Sequence, residues 1–168
     1  MNKTLYLIFL FIFFVLLQTL ILNNIHLFGH INPYIYIAYI FIFPLNQKRI
    51  AFLTISFFLG LCIDLFSNSG GIHAFATLFI AYIRLFLVRA IFKKTESDYL
   101  LFDLKLETFD KTFNYIAILT IIHQFILYSF INFSFYNFSN IIINTLLSTT
   151  FTLVLYFLGS FIFRKKLS

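Results

Sequence analysis

The residues of this sequence that could carry chemistry are few, and their spacing limits what they could do. His26 and His30 have the i, i+4 spacing that places two imidazoles on one face of a helix. No third metal ligand lies near them in the sequence, so a metal site is disfavoured. The 168 residues contain no phosphate-binding glycine-rich loop, no Ser/His/Asp or Cys/His arrangement, and no paired carboxylates in an apolar run. The sequence therefore predicts a protein that is not an enzyme and has no cofactor.

Asp64 is the one acidic residue outside the segment 96–110, and it ends an apolar run just before the turn 67–71. A carboxylate at the C-terminal end of a helix opposes the dipole of that helix. The turn could compensate for this by bringing the free N–H groups of the next helix toward Asp64, with Ser69 as the N-cap. We favour this structural clamp over the alternative, a proton or cation site, although acids within a membrane are often functional.

Other polar side chains lie inside apolar runs and need partners there. Arg84 is two to three turns from the end of its run, and we expect it to extend to the nearer membrane interface, with the bundle interior as the alternative. It should not pair with Asp64, because about 18 Å of helix rise separates the two positions. His73 and His123 are expected to be hydrogen-bonded at helix interfaces, and Gln18 to bond across helices.

The composition indicates which elements must position these residues. The chain is 61% hydrophobic and 11% charged, with a mean hydropathy of +0.96, whereas soluble domains have about 25% charged residues. A helix needs about 20 apolar residues to cross the hydrocarbon core. We therefore predict an all-α integral membrane protein, a six-helix bundle forming a single transmembrane domain, residues 1–168. Its spans are placed at 5–22, 32–45, 50–66, 72–92, 113–135 and 140–163, with a cytoplasmic loop at 93–112.

The second and third predicted spans are short and form a helical hairpin. Pro33 stands at the start of the second span and Pro44 near its end, and the turn 46–49 separates the two spans. A short helix must be shielded by its neighbours or must thin the bilayer. The alternative is a re-entrant hairpin that does not reach the far side of the membrane.

The basic residues predict the orientation. All 12 Lys and Arg lie before the first span, between the second and third, from the last turns of the fourth to the start of the fifth, or after the sixth. By the positive-inside rule this side is cytoplasmic, which places both termini in the cytoplasm. Every acidic residue except Asp64 lies in the loop between the fourth and fifth spans. The loop is therefore mixed in sign, and nucleic-acid binding is not expected.

The middle of this loop has a pattern of period two. Apolar residues alternate with polar ones at Leu100, Phe102, Leu104 and Leu106, which is typical of a strand. A single strand is not stable in water, so it would have to pair with the sheet edge of a cytoplasmic partner. The alternative, which we favour, is a segment whose apolar side chains dip into the membrane interface.

The sequence resembles a known family along essentially its whole length. The most specific parts are Gln18, 23–33 with Tyr36 and Pro44, 60–66, 71–74, Arg84, and the segment 113–124. These residues resemble the rod shape-determining protein family MreD, in its Bacteroidota-like form. Two positions depart from the family pattern. Gln124 stands where relatives often have a second histidine, which weakens the idea of a metal-binding histidine pair, and Gly70-Gly71 stands where a less glycine-rich turn is common.

The resemblance implies a fold and a function. The fold would be similar to the substrate-binding component of energy-coupling-factor transporters, with a cavity open to the outside. The function would be that of a non-enzymatic scaffold in the bacterial inner membrane that binds MreC and, indirectly, MreB, RodA and its partner transpeptidase, and so regulates peptidoglycan synthesis and cell shape. The structural or partner-binding residues would be Gln18, Pro33, Pro44, Gly60, Asp64, Gly71, His73, Arg84 and His123.

Two other functions fit the same sequence. A small-molecule-binding transporter subunit would need polar residues from several helices and often has internal repeats, and we detect no repeat. A lipid-binding role would use an aromatic groove, formed for example by Phe57, Phe58 and Tyr82, for an isoprenoid-linked precursor. The chain has 27 Phe and 10 Tyr, so single aromatic residues are weak signals. By position, several tyrosines are expected in the aromatic belts of the membrane interface, namely Tyr34, Tyr36, Tyr39, Tyr128 and Tyr136.

Overall fold

Helices make up the regular structure of the described part of the chain. The computed structural model describes residues 3–25, 32–94, 98, 102–132 and 138–165, and no strand forms within these ranges. The bounds are α1 Lys3–Leu16, continued by a π-helical segment Leu17–Ile21 and a 3₁₀ turn Leu22–Asn24; a 3₁₀ turn Ile35–Ile37 with α2 Ala38–Ile42; α3 Arg49–Ser67; α4 Ile72–Phe92; a 3₁₀ turn Leu104–Leu106; α5 Phe109–Ile131; and α6 Phe138–Lys165.

Five of these helices are long and apolar enough to cross a membrane, as is typical of a multi-pass membrane protein. The exception is the second predicted span. Its helical part runs only from Ile35 to Ile42, roughly 12 to 16 Å, which is too short to cross a hydrocarbon core of about 30 Å. The second span, predicted as a short helix over 32–45, is therefore helical over only part of that range. The physical reason is Pro44, because the residue before a proline is driven to extended backbone, and Phe43 is extended at φ −60°, ψ 131°.

The segment Tyr34–Phe43, which we call the central segment, lies inside the bundle. Nine of its ten residues are buried, and only Ile42 is exposed. It contacts all five long helices, through Phe11 of α1, Phe52 of α3, His73 of α4, His123 and Tyr115 of α5, and Tyr156 and Thr152 of α6. Apart from Ile42, the other parts of the protein therefore shield this short helix, as expected for a helix too short to cross the bilayer alone.

Contacts between helix ends show how the long helices are arranged. Arg49 at the start of α3 lies over the ring of Tyr82 in α4, 5.1 Å from its centroid, while the end of α3 meets the start of α4. These two helices are therefore antiparallel. The same arrangement joins α4 to α5 and α5 to α6, through the ring pairs Phe92–Tyr115 and Phe109–Phe157, each at 5.5 Å. At the far end of α1, Asn23 donates a hydrogen bond to Ser67 of α3 at 2.8 Å.

This arrangement gives the bundle two distinct ends. The basic end holds the starts of α1, α3 and α5 and the ends of α4 and α6, with Lys48, Arg49, Lys93, Lys94 and Lys111. The turn end holds the turn 68–71 between α3 and α4. The central segment leads the chain from the turn end to the basic end, where α3 begins, so it passes through the bundle and does not turn back as a re-entrant hairpin would. Which side of a membrane the basic end faces stays a prediction.

The predicted bounds agree best at α4, which covers 72–92 in both the prediction and the structure. The first, third and sixth spans are longer than predicted by one or two residues at each end. α5 begins at Phe109, four residues before its predicted start, and residues 133–135 of that span lie outside the described ranges. The early start has two causes. Asp110 in the first turn complements the helix dipole, and Phe109 packs on Phe157.

The period-two segment of the loop is not a strand where the structure describes it. Leu104–Leu106 forms a 3₁₀ turn, and the ring of Phe102 packs on Phe92 at 5.2 Å. An ion pair between Lys94 and Glu107, at 3.2 Å, also ties the segment to the end of α4. The strand, the less favoured of the two alternatives, is therefore wrong for residues 102–107, because these contacts fold the segment back onto the bundle. Leu100 lies outside the described residues, and a position in the membrane interface stays a prediction.

Candidate functional site

The Asp64 carboxylate joins the end of α3 to the start of α4. Its Oδ1 accepts hydrogen bonds from Ser69 Oγ at 2.5 Å and His73 N at 3.0 Å, and its Oδ2 accepts one from Ala74 N at 2.8 Å. The first N–H groups of a helix have no partner within that helix and carry the positive end of its dipole. The predicted clamp is confirmed. The prediction of Ser69 as the N-cap is wrong, because Gly71 occupies that position.

The turn between α3 and α4 depends on backbone that most residues avoid. Asn68, Gly70 and Gly71 have φ of 51°, 66° and 95°. Glycine adopts such positive φ without strain, whereas a Cβ makes it unfavourable. The glycine pair at 70 and 71, which departs from the family pattern, therefore supplies the tight reversal that brings the start of α4 to Asp64.

Gly60 allows the same two helices to approach closely. A Cβ at this position would lie 2.5 Å from the Cα of Ala74 and 2.5 Å from the carbonyl oxygen of His73. Gly60 lies one helical turn before Asp64, so both residues face the first turn of α4. The close approach of the backbones and the carboxylate bonds therefore belong to one joint between α3 and α4.

Tyr36 of the central segment lies between two buried histidines. Its hydroxyl is 2.9 Å from Nδ1 of His73 in α4 and 2.8 Å from Nε2 of His123 in α5. Tyr36 and His123 are fully buried, and His73 is 4% exposed. The sequence predicts that each histidine is bonded at a helix interface, and for these two ring nitrogens the structure confirms it. It also adds the residue that joins them.

The chemistry of this triad follows from the number of its protons. A tyrosine hydroxyl donates one hydrogen and can also accept one, so Tyr36 can donate to only one imidazole. The other imidazole must then donate its own N–H to the hydroxyl oxygen. The two histidines therefore have opposite roles, and the hydroxyl couples the tautomer of one ring to that of the other. The triad thereby links α4, α5 and the central segment.

Removing the Tyr36 hydroxyl tests this link. Tyr36→Phe leaves two buried imidazole nitrogens without a partner, and we expect it to destabilise the protein by about 1 to 3 kcal/mol. Thermal unfolding of the purified protein in detergent measures the effect. The control is Tyr39→Phe in the same segment, because Tyr39 is 2% exposed and packs on the rings of Phe11 and Phe43, so the change removes a hydroxyl without separating two histidines. Equal losses for the two variants would contradict the role of the triad.

Gln18 ties α1 to the chain that enters the central segment. The π-helical segment Leu17–Ile21 holds the side chain of Gln18 fully buried. Its Nε2 donates to Asn23 Oδ1 at 2.8 Å and to the carbonyl of Pro33 at 3.1 Å. The expected bond across elements is therefore present, and its acceptor is the backbone just before the central segment.

Arg84 lies in the bundle interior. It is 2% exposed, so the prediction that it extends to the membrane interface is wrong and the interior alternative is right. Its guanidinium donates to Tyr115 Oη at 3.0 Å and to the carbonyl of Phe43, and it lies over the Phe52 ring at 4.9 Å. Pro44 ends α2 and so frees that carbonyl to accept the bond. As predicted, Arg84 does not pair with Asp64, which is bonded at the turn end.

A row of polar side chains follows the contact between α5 and α6. Gln124 Nε2 donates to Thr152 Oγ1 at 3.2 Å, and the hydroxyls of Tyr128 and Ser148 are 2.5 Å apart. The same Thr152 oxygen accepts the N–H of Tyr34 at 3.0 Å. Within the described ranges, five buried side-chain atoms have no hydrogen-bond partner, namely Gln18 Oε1, His123 Nδ1, Gln124 Oε1, Thr145 Oγ1 and Thr149 Oγ1.

The remaining predictions have mixed outcomes. His26, His30 and Tyr136 lie outside the described residues, and those residues contain no cluster of three metal-ligating side chains. Four tyrosines expected in interface belts, Tyr34, Tyr36, Tyr39 and Tyr128, are instead buried. Sequence reasoning also missed Tyr36, Tyr115 and Thr152 as hydrogen-bond partners. A tyrosine in a run bounded by Pro33 and Pro44 was the available signal for Tyr36.

In comparisons with protein-family models, with curated proteins and with solved structures, no match is found.

Proposed function

We propose that this chain is a non-enzymatic membrane scaffold of the bacterial cell-elongation machinery, an MreD-like protein that binds the bitopic protein MreC. The sequence resemblance suggests the identity of the machinery. The structural observation that supports a scaffold is the central segment, which occupies the interior of the bundle and contacts all five long helices. A bundle filled by its own chain is suited to holding a fixed shape and presenting its outer surface to partners.

The use of the buried charged groups supports the same proposal. Asp64 bonds to the start of α4, and Arg84 bonds to Tyr115 and to the backbone of the central segment. Intramembrane ionisable groups in transporters and pumps commonly line substrate or ion pathways. In this bundle both groups connect parts of the protein to each other, as expected where their task is structural.

The outer surface offers area for a partner helix. The first span, which α1 begins, is the least covered of the five. In its most apolar 18-residue stretch 22% of the residues are buried, against 28% to 44% in the other four helices. Its exposed side chains form a shallow groove of about 330 Å³ lined by Phe9, Ile12, Phe13, Leu16, Leu17, Leu20 and Ile21. In the proposed role the scaffold lies in the inner membrane with both termini in the cytoplasm. Through MreC it acts on MreB, on RodA and on the partner transpeptidase.

The second candidate function is a small-molecule-binding transporter subunit, and one observation favours it. Three helical elements carry buried polar atoms that have no partner among the described residues. A carrier must also open its interior to release a substrate. The central segment would have to leave its place to allow this, which is why the scaffold is the function that the geometry supports better.

Co-expression with MreC tests the proposal. We expect the tagged protein to co-purify with MreC and its depletion to turn rod-shaped cells round. Photo-cross-linking residues placed at exposed Phe9, Phe58 and Phe79 should capture MreC at one or more positions. The matched control is the same probe at Ile37, which is fully buried in the central segment and should capture nothing outside the chain. Normal rod growth after deletion, or no MreC capture at any exposed position, would refute the scaffold.

A further inference from the structure

Two arginines cross the contact between α3 and α4 in opposite directions. The guanidinium of Arg49 in α3 lies over the ring of Tyr82 in α4, 5.1 Å from its centroid. The guanidinium of Arg84 in α4 lies over the ring of Phe52 in α3, 4.9 Å from its centroid. Arg49 and Phe52 are three residues apart, and Tyr82 and Arg84 are two residues apart. The two positive charges therefore lie within about one helical turn of each other along the bundle.

The described part of the chain supplies no negative charge to this pair. The first 95 residues contain one acid, Asp64, which lies 15 residues from Arg49, roughly 22 Å along α3. Arg84 donates to the hydroxyl of Tyr115 and to the carbonyl of Phe43, which are both neutral groups. Neither arginine forms an ion pair with a described residue. Like charges in apolar surroundings are unfavourable unless an anion compensates for them, so the anion has to come from outside these residues.

Arg49 is the member of the pair that an outside anion can reach. Arg84 is 2% exposed, whereas Arg49 is on the surface. The residues beside Arg49 are apolar and open, with Ile50 81%, Tyr82 60% and Phe86 72% exposed. Phe86 follows Tyr82 by about one helical turn, so both rings lie on the same face of α4. This surface therefore combines a positive charge with a large apolar area.

The Arg49 side chain runs along this surface away from the basic end. Gly60 meets Ala74 where the antiparallel helices α3 and α4 are closest. By this register Arg49 lies opposite about Leu85, nearly one turn closer to the basic end than Tyr82. An arginine near the end of a membrane helix ordinarily extends to the water. Here its guanidinium turns toward the hydrocarbon instead, where a charge needs a partner.

We propose that the surface formed by Arg49, Ile50, Tyr82 and Phe86 binds an anionic phospholipid. The guanidinium of Arg49 donates to the headgroup phosphate, which its planar set of N–H groups fits well. The acyl chains lie on Ile50 and on the rings of Tyr82 and Phe86. Anionic lipids give the cytoplasmic leaflet its negative surface potential, and the basic residues predict that this end of the bundle is cytoplasmic.

A carboxylate from a soluble protein segment is the competing occupant. It would compensate for the charge of Arg49 equally well. To reach the guanidinium, however, its backbone would have to lie on the apolar surface of Tyr82 and Phe86. Peptide N–H and C=O groups without hydrogen-bond partners are costly at a lipid-facing position. A phospholipid brings its charge and its apolar chains in one molecule and carries no such groups.

Added lipid tests the proposal on the full-length protein purified in detergent. With phosphatidylglycerol at ten times its wild-type Kd, we expect the Tm of the wild type to rise by about 3 to 6 °C, and by less with zwitterionic phosphatidylcholine. Arg49→Gln removes the charge and its bonds to phosphate. The affinity should then fall about tenfold, and the rise should shrink to about 1 to 2 °C. Each rise is measured against the same variant without lipid, so differences in basal stability cancel.

The control is Lys111→Gln, which makes the same change in charge at the same end of the bundle, at the start of α5. It should keep the rise of the wild type. An equal loss in both variants would overturn the proposal, because it would show a general attraction of the basic end for anionic lipid. Equal rises with phosphatidylglycerol and phosphatidylcholine would overturn it as well.

Native mass spectrometry of the same samples measures the bound lipid directly. At subsaturating phosphatidylglycerol we expect lipid adducts on the wild type and on Lys111→Gln, and about tenfold lower occupancy on Arg49→Gln. Inorganic phosphate should leave the Tm unchanged, and a rise equal to that with lipid would overturn the assignment to a lipid. Full occupancy on Arg49→Gln together with reduced MreC capture would assign the surface to a protein partner and overturn the proposal. Lipid binding is measured without MreC, so its outcome is independent of the scaffold role.

Discussion

Replacing Gly60 with alanine is expected to lower the stability of the protein by about 2 to 3 kcal/mol, a Tm decrease of roughly 5 to 10 °C. The added Cβ would lie 2.5 Å from two backbone atoms of α4. Backbone cannot rotate away as a flexible side chain does, so the helices have to separate. Separation also lengthens the bonds from Asp64, one turn further along α3, to the N–H groups of His73 and Ala74.

Gly159 provides the control for this substitution. It is also a helical glycine, in α6, but a Cβ there would meet no atom within 4 Å. Alanine is the better helix former, so Gly159→Ala should be neutral or stabilising by up to about 1 kcal/mol. Thermal unfolding of both variants under the same conditions compares a glycine required by packing with one that is not. A small effect of Gly60→Ala, similar to that of Gly159→Ala, would show that α3 and α4 are not held in such close contact.

The joint between α3 and α4 could be predicted from the sequence because its signals are local. Asp64, the glycine turn and the start of α4 lie within ten residues of one another, and the chemistry of a helix start is the same in every protein. The bounds of α4 were predicted without error for a similar reason. Its apolar run is bounded by a glycine turn on one side and by two lysines on the other.

The central segment could not be predicted in the same way, because hydropathy does not distinguish residues that face lipid from residues that face protein. Residues 32–45 are apolar, and in sequence they are indistinguishable from a short span. The same ambiguity caused the error at Tyr36, since a tyrosine in an apolar run fits both an interface belt and a buried hydrogen bond. Its two histidine partners lie 37 and 87 residues away. Only the packing of the bundle brings the three together.

Arg84 shows the same limit for a charged residue. Its distance from the end of α4 allowed both an extended and an interior position. The choice depends on acceptors that come from elsewhere in the chain, the Phe43 carbonyl and the Tyr115 hydroxyl. The first of these is free because Pro44 ends α2. Pro44 thus contributes to the burial of Arg84, which lies 40 residues later in the sequence. The position of Arg84 within α4 gives no indication of this.

Asp64→Asn is expected to destabilise the protein by about 3 kcal/mol, a large effect for a single substitution. The carboxylate accepts three hydrogen bonds, two of them from the N–H groups that begin α4. Hydrogen bonds to a charged group contribute about 1.5 to 3 kcal/mol each, and a buried donor that loses its acceptor costs more than the bond itself. An asparagine has only one acceptor oxygen, and its amide hydrogens would face a backbone N–H. The control is Asp110→Asn, an exposed acid in the first turn of α5, which should change stability by no more than about 0.5 kcal/mol.

The dependence of stability on the cation separates this clamp from a cation site at Asp64. The Tm of the wild-type protein should be the same in sodium as in choline buffer of equal ionic strength, because the carboxylate oxygens already have hydrogen-bond partners on the protein. A Tm that rises with sodium would instead support a cation site.

The double variant Gly60→Ala, Asp64→Asn tests whether these two residues act together. If the two residues form one joint, the alanine already weakens the bonds that the asparagine would remove. The destabilisation of the double variant should then be smaller than the sum of the two single destabilisations. Full additivity would mean that the close approach and the carboxylate stabilise α4 independently.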